Sequence, residues 1–272
     1  MAPAQPPAAA GARTPSPPCL PRPRLRLECR DLSHEGSRAF FQHCPRPDRL
    51  LEDAVTAVLR ALYPTETLDE DRTPVGSSVP PIRCIGLYLH VFEGVAYTCS
   101  SDLDPLHKEI HLSVSYLAGV EERSRLKPEL VALEIRGVVT HEMVHVFQHN
   151  GKGTVPGGVI EGIADWVRDR ADLGAPHWHR SRPEQHDRWD QGYEKTAFFL
   201  SWLASRVGTP DLIARLNRAL QREEWQGGAV LERLLGGADV ERLFREYRDS
   251  FSGDGPTKDG PPAPVPTHVA SV

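Results

Sequence analysis

Little in this chain can staple it together, carry it across a bilayer or attract a polyanion. Its 272 residues include five cysteines, Cys19, Cys29, Cys44, Cys84 and Cys99. They make no C-x-x-C pair and no regular spacing, which excludes a disulfide framework. An odd, scattered set reads as mostly free thiols in a reducing compartment. One bridge stays open, should Cys84 and Cys99 fall on paired strands. No stretch approaches the roughly 20 apolar residues that a membrane-spanning helix needs. The N-terminal stretch has no apolar segment of the kind a secretory signal carries, so an intracellular, cytoplasmic location is expected, with export left open. Basic residues are not in excess: 32 Lys and Arg face 37 Asp and Glu, for a formal charge of −5. That balance argues against nucleic acid as a partner.

Hydrophobic residues make up 39% of the chain, a low value because both ends dilute it. Residues 1–23 and 253–272 are rich in Pro, Ala and Gly and read as disordered tails. The span 24–252 between them is long enough for one domain, or one domain of two lobes. Alternating residues predict strands over 25–29, 81–92, 95–100 and 107–116, with a tight turn at Glu93-Gly94. A short helix is expected over 36–44, and a second over 49–62 with Asp48 as its cap. Residues 64–80 read as a loop. After an irregular stretch from 173 to 190, helical patterning resumes from Asp190 to Val207. It continues from the Thr209-Pro210 cap to Gln221, then over 228–235 and 238–251.

The chemistry concentrates between Pro128 and Arg168. Residues 128–149 read as a helix that is apolar nearly all round, and such a helix is buried. It carries His141-Glu142-Met143-Val144-His145, the H-E-x-x-H pattern. Residues four apart share one helix face, separated by roughly 6 Å of rise, so both imidazoles can reach one zinc ion. Glu142 projects beside them, placed for a water rather than the metal. Buried polar groups without partners are costly, and a metal would supply one; the bland alternative is a pair of hydrogen-bonded core histidines.

The third ligand does not follow closely, because the position six residues after His145 is Gly151. His149 lies about 12 Å along the axis from His141, too far to share the ion, and reads as a polar residue near the helix end. The better source is the next helix, around Val159 to Arg168, which the short glycine-rich turn Gly151 to Gly158 folds back beside the first. Glu161 and Asp165 are one turn apart on it. Glu161 is assigned to the metal and Asp165 to the free N–H of a ligating histidine, with the reverse assignment open, since either carboxylate can ligate. Elsewhere, His111 reads as a pleat-facing strand residue. His177 and His179 read as surface residues, and Trp178 and Trp189 as packing for the 173–190 loop.

The blocks HEMVHVFQHNGKGTVPGGVIEGIADWVR (141–168) and WDQGYEKTAFFLSWL (189–203) resemble the plant basic secretory protein family and its fungal and bacterial relatives. LRLECRDLS (25–33) and EIHLSVSYL (109–117) fit as weaker blocks. The resemblance implies a gluzincin-like zinc metallopeptidase, in which two histidines and a downstream glutamate bind zinc. That supports Glu161 as ligand beside His141 and His145. The family name also implies a secreted, basic protein, and this chain departs on both counts.

The reading is therefore an α+β, zincin-like fold: a mixed sheet and a buried H-E-x-x-H helix in an upper lobe, over a helical lower lobe. The outer strand of such a sheet pairs with an extended peptide substrate, and 94–99 and 107–116 are the candidates. Zinc is the expected cofactor, and a peptide or protein the expected substrate, with neither nucleic acid nor membrane as partner. Glu142 is expected to act as general base. Tyr193, at a helix start, reads either as a donor to the oxyanion or as a packed aromatic. The competing class is a non-catalytic, zinc-stabilised binding protein with a defence- or stress-associated role.

Overall fold

In a computed structural model, residues 22–64 and 78–251 are described. The two expected tails, apart from residues 22–23, and most of the 64–80 loop lie outside the described residues, as does Cys19. Strand β1 (Arg24–Cys29) leads into helices α1 (Glu35–His43) and α2 (Pro47–Leu62). Strands β2 (Cys84–His90), β3 (Ala96–Ser101) and β4 (Asp104–Ser113) follow. The remainder is helical: α3 (Val114–Arg123), α4 (Glu129–Phe147), α5 (Gly157–Arg170), α6 (Tyr193–Arg206), α7 (Leu212–Arg222), α8 (Ala229–Leu234) and α9 (Val240–Asp249). This is a mixed α+β architecture.

The four strands form one sheet in the order β1-β2-β4-β3. β1, β2 and β4 are parallel, while β3 runs antiparallel to β4. Leu87, Leu89, Ile110 and Leu112 put one face of the sheet into the core, and all four are fully buried. Helix α4 lies on that face against β3 and β4, with α2 and α5 packed on its other sides. So enclosed, it has no polar stripe: Val131, Ile135, Val139, Met143, Val144 and Phe147 are all buried.

Five local readings are corrected. Residues 114–116 do not extend β4; they start α3, because Ser113 ends the strand, its hydroxyl accepting from the Tyr116 N–H and donating to the Phe92 carbonyl. Gly94 takes the positive φ of 115° that a turn favours, yet β2 and β3 are not neighbours, since β4 lies between them. Cys84 and Cys99 consequently sit on unpaired strands, and Cys29, Cys44, Cys84 and Cys99 are all free thiols. Asp48 does not cap α2, which starts one residue earlier with proline at its first position, where a missing N–H costs nothing; Asp48 instead pairs with Arg46. Helix α7 likewise starts at Leu212, beyond the expected Thr209-Pro210 cap, with no side-chain cap bond. No helix among the described residues is long and apolar enough to cross a membrane.

Two contacts fix α5, and through it the spacing of the acidic residues it carries. Arg168 is buried and reaches from α5 to the Glu134 carboxylate on α4 at 2.9 Å, while its Nε donates to the Leu173 carbonyl at 2.8 Å. On the opposite side, α6 packs closely along α5 at Gly162. A Cβ there would lie 2.2 Å from Cγ2 and 2.5 Å from Cβ of Thr196. Thr196 cannot swing aside easily. Its hydroxyl accepts from the Gly192 N–H at 2.9 Å and donates to the Trp189 carbonyl at 2.8 Å, holding the chain that enters α6. Gly162→Ala should therefore destabilise the protein by about 1–3 kcal/mol, the usual cost of overpacking, despite alanine's better helix propensity. Urea unfolding checks this; an unchanged or raised midpoint would show that α5 and α6 are free to part.

Candidate metal centre

Helix α4 presents His141 and His145 one turn apart, with their rings edge to face at 4.9 Å between centroids. The Nε2 atoms are 3.2 Å apart. Helix α5 brings Glu161 to both: Oε2 lies 3.0 Å from His141 Nε2 and Oε1 3.6 Å from His145 Nε2. Asp165, one turn further on, goes elsewhere, its Oδ1 lying 2.6 Å from His141 Nδ1. Of the two carboxylates, then, Glu161 is the one gathered with both Nε2 atoms.

The protonation logic follows from that arrangement. Asp165 is 2% exposed, and a carboxylate buried so deeply needs a donor. The Nδ1–H of His141 is that donor, which leaves Nε2 of the neutral ring as a lone pair. That nitrogen faces a carboxylate oxygen and a second imidazole nitrogen, an arrangement that a positive charge stabilises. Without a metal, a proton serves. Burial alone would lower the His141 pKa, but the hydrogen bonds to Asp165 and Glu161 outweigh it and push it up to about 9. Burial alone would likewise raise Glu161, yet its bonds to the two histidines bring it down to about 2.

A divalent cation fits the same place. In a tetrahedral site with bonds of about 2.1 Å, neighbouring donors are about 3.4 Å apart. The three separations here, 3.2, 3.0 and 3.6 Å, bracket that value. His141, His145 and Glu161 could thus hold one ion. His149 is not part of it: its ring nitrogen lies 3.0 Å from the Ser78 carbonyl, beyond the end of α4.

The centre lines a cavity of about 710 Å³ between β3, α4, α5 and the start of α6. Glu142 is 6% exposed and faces it. Its Oε2 accepts from the Thr98 hydroxyl at 2.8 Å, and its backbone carbonyl lies 3.0 Å from the same oxygen. Thr98 was not legible as a partner; only the register of edge strand β3 brings it there. That strand, and not β4, is the open edge beside the cleft. Tyr193 is 55% exposed, so it is not a packed aromatic. Its ring lies parallel to that of His141, centroids 6.3 Å apart, on the wall of the cavity. The charge of Glu161 raises its hydroxyl pKa, with burial adding to the effect. Backbone geometry sets the ring there: Gly192 has φ 112°, and Tyr193 itself φ 49°. His177 reaches the rim of this cavity but is exposed, and His179 is exposed as well. Trp178 packs on Arg168 at 4.9 Å, as a loop-packing residue should, and Trp189 is buried.

No curated protein and no solved structure matched the chain. One family description did, that of the peptidases of plants and bacteria, over residues 22–247. That match takes in the whole sheet, both helices of the histidine and carboxylate cluster, and most of the helical remainder. The chain therefore belongs to the basic secretory protein family, the peptidases of plants and bacteria.

Proposed function

We propose that this protein is a zinc-dependent metallopeptidase of zincin type, with His141, His145 and Glu161 holding the metal. The observation that carries this reading is the convergence of those three donors at tetrahedral spacing beside a buried Glu142. When bound, zinc supplies a Lewis acid that makes water acidic near neutral pH and polarises a carbonyl. Asp165 keeps His141 in the tautomer that offers Nε2. Glu142 takes the proton from the attacking water and later delivers it to the leaving amine. Thr98 positions Glu142 by donating to its carboxylate. Tyr193 offers its hydroxyl to the oxyanion that develops on the scissile carbonyl. Edge strand β3 borders the cleft and offers backbone groups to an extended peptide.

Glu142→Gln should retain stoichiometric zinc and lose peptidase turnover by at least about a thousandfold. Metal analysis beside a peptide-library assay measures both. Zinc lost together with activity would remove Glu142 from the role of base, and a wild-type enzyme that never cleaves would favour the binding-protein alternative. Thr98→Val should leave zinc in place and lower kcat roughly 10- to 100-fold, the value of one hydrogen bond to a charged group; an unchanged kcat would make that contact incidental.

Metal uptake should also be linked to pH. His141 carries a proton below about pH 9 in the metal-free chain, and zinc must displace it. The apparent affinity should then rise about tenfold per unit from pH 7 toward 9, with about one proton released per zinc from this residue. Calorimetry in buffers of different ionisation enthalpy reads that proton directly. No release at neutral pH would mean that the ring is already deprotonated.

A further inference from the structure

The sheet has a second face, turned away from α4. Pairing places Tyr97 opposite His111 and Cys99 opposite Glu109 across the β3–β4 ladder, and Tyr88 opposite His111 across β2–β4. These side chains share the outer surface, since Thr98, Ile110 and Leu112 point the other way. Here His111 is held as a slab. Its ring lies between those of Tyr88 and Tyr97, at 5.0 and 4.5 Å, with interplanar angles of 16° and 8°. The Arg30 guanidinium closes the stack over Tyr88 at 5.1 Å. A ring so clamped can act only through its edges. His90 Nε2 occupies one of them, 2.9 Å from His111 Nδ1. The other edge, Nε2, faces Glu109 Oε2 at 3.3 Å. Cys99 completes the group: one donor atom from each of Cys99, Glu109 and His111 lies within 4.8 Å of the others.

We propose that Cys99, Glu109 and His111 form a second transition-metal site, on the outer face of the sheet and independent of the centre on α4 and α5. The His111 Nε2 to Glu109 Oε2 separation of 3.3 Å is close to that of two donors sharing an ion. A charge-assisted N–H···O bond is about 2.7–2.9 Å long, whereas donors sharing a tetrahedral ion are about 3.4 Å apart. On binding, the Sγ–H proton goes to solvent, and thiolate and carboxylate together neutralise a divalent ion. One sulfur, one imidazole and one carboxylate select zinc, cobalt(II) or nickel over magnesium or calcium. His90 orients the ligating ring as Asp165 does in the other centre. The ion would staple β3 to β4 from behind, at the residue next to Thr98.

Cobalt(II) titration of the full-length, metal-stripped chain tests this. The wild type should bind two equivalents, and one of them should bring a near-ultraviolet thiolate-to-cobalt charge-transfer band. Cys99→Ser should abolish that band and leave one equivalent bound. Glu109→Gln should weaken the outer equivalent by at least about 100-fold, and His90→Phe by about 10- to 100-fold. Glu161→Ala should do the reverse, losing the inner equivalent while keeping the band, so failure at one centre is distinguishable from failure at the other. A wild type without the band, or a band that survives Cys99→Ser, would overturn the proposal.

Discussion

A carboxylate shut away from water must find a donor, and Asp165 finds one in the ring of His141. The rest of the centre depends on that contact. It holds Nδ1 of His141 on the carboxylate, and so turns the other nitrogen toward Glu161 and His145. It also ties α5 to α4 within the core, where neither helix can rotate without exposing apolar side chains. Close packing on the far side of α5, where Thr196 fills the space over Gly162, keeps Glu161 at the same distance. The cluster is thus a product of helix packing more than of any one motif. The histidines are four residues apart on one helix, but their acidic partner lies in range only because three helices are held face to face.

That division explains what could be read from the residues alone. That His141, His145, Glu161 and Asp165 would meet was legible because helical spacing is local, and a short glycine-rich turn leaves α5 little choice but to return beside α4. The ends of α4 and α5 fall within two residues of where the same pattern put them. Thr98 was not legible. It lies 44 residues from Glu142 along the chain, and its position is set by the register of an antiparallel edge strand. Helix α3 was hidden for a different reason. Ile110, Leu112, Val114 and Tyr116 continue one alternation, and the hydroxyl of Ser113 breaks the strand in the middle of it. The order of the sheet was hidden as well, because the glycine at 94 suggested a hairpin that an intervening strand prevents.

The same sheet gives β3 two duties. Its inward residues meet α4 and the cleft, through Thr98. Its outward residues, Tyr97 and Cys99, meet β4 through His111 and Glu109. An edge strand has neighbours on one side only, so its position depends more on side-chain contacts than that of a central strand does. Whatever holds the outer cluster together therefore also holds the wall on which Glu142 is oriented.

The entry into α6 carries a different lesson. Tyr193 has a left-handed backbone, a conformation that costs a residue with a Cβ roughly 1–2 kcal/mol and that glycine or asparagine adopts more readily. It also leaves more than half of a large residue in solvent. Neither property helps folding. Selection of this chain for heat tolerance alone would be expected to discard the tyrosine early, and variants recovered that way would be sturdier proteins with a poorer cleft.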